Sequence, residues 1–124
     1  MGKVVMVVDD DADIRDLMTA MLEDEGYAVV EACDGEDALE RLERSEGAAV
    51  DAILLDYAMP RCDGEEFARR FHERYDRVSP IILLTASQQL EERCRRVDAD
   101  ECVGKPFDVN KLLDAVGRQT RQHG

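Results

Sequence analysis

KVVMVVDDD, residues 3–11, is a valine-rich apolar run that stops abruptly in three carboxylates. A continuous run, without the alternation of a half-exposed strand, marks a strand buried on both faces. Three more runs end in a similar way. AVDAILL (49–55) runs into Asp56, PIILL (80–84) into Thr85, and ECVG (101–104) into Lys105. If the four lie parallel in one sheet, carboxylates, a hydroxyl and an ammonium converge on one edge.

The stretches between them read as helices. Ile14, Leu17, Met18, Met21 and Leu22 recur at steps of three and four, after Asp11 as N-cap and before a stop near Gly26. Tyr27–Ala32 is a second strand, and Ala38, Leu39 and Leu42 stripe a second helix. Val50–Leu55 is the third strand, followed by a loop, 57–62, and a helix opened by Asp63 and Gly64 that aligns Phe67, Phe71 and Tyr75. Ile81–Leu84 is the fourth strand. Leu90, Cys94 and Val97 stripe a weaker fourth helix, and Glu101–Val103 is a brief fifth strand. Val109, Leu112, Leu113 and Val116 stripe the last helix, with residues 118–124 expected as a frayed tail. Strand and helix alternate five times. That pattern implies an α/β domain with a parallel sheet covered on both faces and right-handed crossovers. Ligands of such sheets sit beyond the carboxyl ends of the strands.

The 124 residues suit one domain spanning 1–124. Charged residues make up 36%, with a formal net charge of -13. Such a surface repels nucleic acid and anionic lipid, so neither is expected as a partner. The longest apolar stretch, near Val4–Val8, is far too short to span a membrane, and the expected location is cytoplasmic. Cys33, Cys62, Cys94 and Cys102 form no C-x-x-C pair and have no histidine at metal-ligand spacing. They are expected as free thiols in a reducing compartment.

Asp9, Asp10 and Asp56 cannot be close and all charged without compensation. Two carboxylates ~4 Å apart repel by about 4 kcal/mol at an effective dielectric of 20. Either one holds a proton or a cation is present. An all-oxygen ligand set selects a hard ion, and Mg²⁺ is held in this partial fashion by a couple of carboxylates, waters and phosphate oxygens. Thr85 and Lys105 would supply donors to an anion beside it, which is the electrostatic equipment of phosphoryl transfer. A carboxylate can itself be the nucleophile. Each group alone has a plainer reading: Asp11 caps a helix, Asp9 and Asp10 are loop residues, and a lysine before proline is solvated surface. Their joint occurrence at four strand ends favours a site.

VVDDDADIR (7–15), DAILLDYAMPRCDG (51–64), IILLTAS (81–87) and GKPF (104–107) together resemble the receiver domain of two-component response regulators, over essentially the whole chain. The resemblance implies a flavodoxin-like, CheY-like fold: a five-stranded parallel sheet of order 2-1-3-4-5 flanked by five helices. It implies Asp56 as phosphoacceptor. Mg²⁺ would be bound by Asp10, Asp56 and the backbone carbonyl of Ala58, with Asp9 acting through water. Thr85 and Lys105 would contact the phosphoryl group, and Pro106 would follow a cis peptide bond. A histidine kinase or histidine phosphotransfer protein would be the donor and a downstream effector protein the recipient. The domain would be a signalling device, catalysing only its own phosphorylation and dephosphorylation, as a monomer or a phosphorylation-dependent dimer.

The chain departs from the family pattern in one region. Cys102 stands three residues before Lys105, where a tyrosine or phenylalanine is common, so an aromatic switch is missing at that position. Thr85 and Lys105 are about two residues closer than usual, which predicts a shortened or irregular fourth helix. Asp98 stands where glycine is frequent. Ala58 and Ser87 occupy positions that tune phosphate loss in the family. The expectation is a stand-alone receiver; the alternative is a receiver cut from a larger regulator or hybrid kinase. A third reading is a small Mg²⁺-dependent phosphohydrolase of the haloacid dehalogenase type, with Asp9 as nucleophile and Asp11 two residues on.

Overall fold

The computed structural model describes residues 2–44 and 50–121. Its elements follow in strict alternation: β1 Val4–Val8, α1 Ala12–Asp24, β2 Ala28–Ala32, α2 Gly35–Arg44, β3 Ala52–Asp56, α3 Gly64–Tyr75, β4 Ile81–Ala86, a 3₁₀ turn Ser87–Gln89, α4 Leu90–Val97, β5 Glu101–Lys105 and α5 Val109–Arg121. All strand pairs are parallel, in the order β2-β1-β3-β4-β5. The flavodoxin-like arrangement expected from the resemblance is the one observed.

The period of two along each strand divides the core into two layers. Val5, Val7, Ala52, Leu54, Ile82 and Leu84 face one way, and pack with Met18 and Leu22 of α1 and Leu112, Ala115 and Val116 of α5. Met6, Val8, Ile53, Leu55, Ile81 and Leu83 face the other way, against Leu42 of α2, Phe67 and Phe71 of α3 and Val97 of α4. The central strands therefore have no polar face, which is why they read as unbroken apolar runs. Every residue of β3 is buried, so Asp56 sits on rigid ground.

Caps set where the helices begin. Asp11 accepts from the backbone N–H groups of Asp13 and Ile14 at 2.9 and 3.3 Å, as its N-cap assignment requires. Asp63 accepts from Glu66 N at 2.9 Å, and Asp108 accepts from Asn110 N and Lys111 N at 2.8 and 3.3 Å. Helix α4 has no side-chain N-cap and only eight residues, in line with the shortened fourth helix expected. It ends on Asp98 in the left-handed region at φ 58°, which explains why glycine is common at such a position.

Two expectations are corrected. Cys94 and Cys102 are not free thiols but a disulfide, with Cα atoms 6.0 Å apart; only Cys33 and Cys62 are free. The cysteine on α4 faces the one on β5 across the α4–β5 connection, a proximity that arises only once the strand returns beside the helix. The last helix also continues to Arg121 rather than fraying from residue 118. Its end is anchored. Thr120 is buried, bonds Val116 O at 2.8 Å and lies 3.2 Å from the Tyr27 hydroxyl, while Gln119 donates to Glu101 at 2.8 Å. Residues 122–124 lie outside the described residues.

Candidate functional site

The carboxyl ends of β1 and β3 bring three carboxylates together. Asp9, Asp10 and Asp56 each place an oxygen within 4.8 Å of the other two. Asp9 follows β1 directly, with its N–H donating to Ala32 O at 3.1 Å. It is almost fully buried, and its Oδ1 accepts from Asp11 N at 2.9 Å. Its Oδ2 is buried with no hydrogen-bond partner. Burial, opposed by that backbone bond, raises the Asp9 pKa from 3.8 to about 6. Asp56 ends β3 and is buried; Lys105 Nζ, at the end of β5, donates to its Oδ1 at 2.6 Å. Burial also raises the Asp56 pKa, with the Lys105 bond pulling the other way.

A buried carboxylate oxygen without a donor is costly. Three clustered carboxylates with one such oxygen form a hard, oxygen-only donor set that fits a divalent cation such as Mg²⁺. Asp11 is outside this set, since its oxygen is committed to the cap of α1.

The remaining predicted residues divide. Ala58 is exposed in the loop after β3, next to the cluster in sequence. That loop closes through Gly64 N donating to Tyr57 O at 2.8 Å. A Cβ on Gly64 would stand 3.0 Å from Tyr57 Cα and 3.2 Å from Asp56 O, so a side chain there would force the backbone beside Asp56 to give by a few tenths of an ångström. Thr85 lies within β4 and is buried. Its hydroxyl accepts from Arg93 Nη1 at 2.9 Å rather than pairing with Asp56 or Lys105. Ser87 is exposed and donates to Lys105 O at 3.1 Å, tying the turn after β4 to the end of β5. Cys102 is half-buried and covalently joined to α4.

Three neighbours escaped the sequence reasoning. Arg15 on α1 donates to the Asp9 carbonyl at 2.7 Å and to Glu31 at 3.3 Å, fixing the loop that carries Asp9 and Asp10. Arg93 lies over the Tyr57 ring at 4.2 Å, and Tyr57 donates to Glu65 at 3.2 Å. Nothing in EERCRRV (91–97) marks Arg93 out from its fellow arginines. Its partnership depends on the phase of α4, which the irregular turn before it sets.

A doubly wound parallel sheet with an acidic cluster at its carboxyl edge defines a broad class. The particular family follows from comparison: residues 5–117 match the model of the response regulator receiver domain, and the chain belongs to that family. Solved structures agree. Chemotaxis protein CheY4 of Vibrio cholerae is 30% identical, with TM-score 0.83 over 96% of this chain and 99% of that one. The receiver domain of the Francisella response regulator 1452 is 26% identical, with TM-score 0.87 over 99% and 100%. A probable two-component system response regulator/GGDEF domain protein is 30% identical, with TM-score 0.86, over 96% of this chain but 49% of its own length. The chain is thus a receiver domain of two-component signalling, a signalling domain rather than a conventional enzyme.

Proposed function

We propose that this receiver accepts a phosphoryl group on Asp56 from the phosphohistidine of a histidine kinase or histidine phosphotransfer protein. A carboxylate oxygen of Asp56 attacks phosphorus, the phosphorus–nitrogen bond to the donor imidazole breaks, and an aspartyl phosphate forms. The observation that carries this reading is the cluster itself, with Asp56 and Asp9 buried, Asp9 Oδ2 unsatisfied, and Lys105 on Asp56. Mg²⁺ would be held by Asp10, Asp56 and the Ala58 carbonyl, with Asp9 through water, and supplies charge neutralisation for the phosphoryl oxygens when bound. Lys105 orients Asp56 beforehand and stays beside the product oxygens as a counter-charge. Thr85 offers its hydroxyl proton to one of those oxygens. The product adds about -1.5 to -2 charges to a carboxyl edge already crowded with carboxylates, and that change biases an effector-binding surface.

The test is incubation with Mg²⁺ and a small acyl phosphate, with the labelled residue mapped by mass spectrometry. Label is expected on Asp56 and should vanish with Asp56→Asn. Label that survives Asp56→Asn but disappears with Asp9→Asn would overturn the assignment and favour the hydrolase-type nucleophile.

A further inference from the structure

The missing aromatic at residue 102 leaves open how Thr85 communicates with the surface. Arg93 on α4 is the side chain that meets the Thr85 hydroxyl. Its guanidinium donates to the buried Thr85 hydroxyl at 2.9 Å and lies 4.2 Å from the centroid of the Tyr57 ring. It springs from the first turn of α4, is half-buried, and has no carboxylate partner among the described residues, in a chain where most arginines do. A half-buried cation held by a hydroxyl and a ring, rather than by an opposite charge, is committed to those two contacts.

The hydroxyl chemistry sets what the contact can do. Thr85 has one proton to donate and two lone pairs. Arg93 occupies a lone pair, so the proton stays free for an acceptor at Asp56. Tyr57 follows Asp56 directly and anchors Arg93 from the other side. If Thr85 moves toward a phosphoryl oxygen while the ring holds the guanidinium, the Arg93–Thr85 bond opens, and the turn of α4 before Cys94 keeps only the disulfide that follows it. That turn has no side-chain N-cap to replace the lost bond.

We infer that Arg93 is the positioning residue that couples Thr85 to helix α4, taking the place of the absent aromatic on β5. The inference rests on the phosphoacceptor reading of Asp56. Hydrogen exchange over residues 87–97, with and without acyl phosphate and Mg²⁺ and at matched label on Asp56, tests it. In the parent chain, label should speed exchange in the first turn of α4 about tenfold, the factor for losing one hydrogen bond of roughly 1.4 kcal/mol. In Arg93→Ala, exchange there should be fast with or without label, the difference falling below about twofold. Arg93→Lys, which keeps a cation over the ring but lacks the planar fork, should restore part of it. Thr85→Ala should match Arg93→Ala, and the double variant should add nothing further. A labelled parent with no change in residues 87–97, or a full response surviving in Arg93→Ala or Thr85→Ala, overturns the coupling alone. Absence of label on Asp56 in the parent overturns the phosphoacceptor reading and the coupling with it.

Discussion

The carboxyl ends of β1 and β3, and the flank made by α4 and β5, meet at Lys105 but are held by different means. At the first, the chain leaves strands buried on both faces and is pinned at once by short local bonds: Asp11 caps α1, Arg15 holds the Asp9 carbonyl, and Gly64 N closes on Tyr57 O. At the second, every residue of β5 is only half-buried and α4 buries Val97 alone. Its ties are few: one is covalent, the Cys94–Cys102 disulfide, and the others are separable, Arg93 on Thr85, Asp98 with Arg77, and Glu101 with Arg118. Chemistry needs groups that stay where the fold puts them, and a response needs an element that can be released. The molecule places the first on its deepest strands and the second on its shallowest helix.

Removing the disulfide should have the largest effect on stability. In the loop-entropy description, closing a loop across a separation of 8 residues contributes about 2.5 kcal/mol. Cys94→Ser with Cys102→Ser should therefore lower the melting temperature by roughly 10 °C for a chain of this size, and reductant should do the same to the parent. Labelling of Asp56 should persist, because the tie lies in the flank. A melting temperature unmoved by both treatments would mean that the flank is held without the covalent link. Equal loss of labelling would erase the distinction between the two regions.

The same contrast explains what could be read from the sequence. Asp9, Asp10, Asp56 and Lys105 were legible because each ends an apolar run, and parallel strands deliver run-ends to one edge whatever the details between them. The strand order came from the family resemblance, since alternation alone admits other orders. Arg93 was not legible, because one arginine among EERCRR acquires a partner only through the rotation of α4 after the Ser87–Gln89 turn. The disulfide was hidden for a related reason: a separation of eight residues across a helix end and a strand start has no local signature. The anchored end of α5 was missed because Gln119 and Thr120 look like tail residues until Glu101 and Tyr27 are placed beside them.

A smaller effect is expected from Gly104→Ala on β5. A Cβ there would lie 2.4 Å from Ser87 Oγ, 3.1 Å from its Cβ and 3.2 Å from its Cα. Ser87 must move, and its bond to Lys105 O goes with it. Overpacking of this kind costs about 1–2 kcal/mol, read as a shift in the urea midpoint at unchanged slope. Adding Ser87→Ala should recover part of the loss, since it removes the nearest atom. No recovery would show that the strain lies in the backbone of β5 rather than in the contact between the turn and the strand.

The smallest effect expected is on the tie between β5 and α5, and acid should reveal it. Arg118 donates to Glu101 at 2.7 and 3.1 Å and holds its carboxyl below the ordinary value of 4.5, against the opposing pull of burial. A depressed folded-state pKa means that the contribution is complete above pH 4.5 and is lost as pH falls through the lower folded value. Arg118 is half exposed, so solvent screens the pair, its contribution is small, and salt should shrink it further. Glu101→Gln should therefore cost a little stability at neutral pH, with the gap to the parent closing on acidification below pH 4.5. A gap that stays constant from neutral to acid would show that Glu101 acts through packing and neutral hydrogen bonds. Burial pushes Asp9 and Asp56 in the opposite direction. Acid therefore relieves charge repulsion at the carboxyl edge while it unpins the flank, so the two regions should separate along the pH axis as they do in their packing.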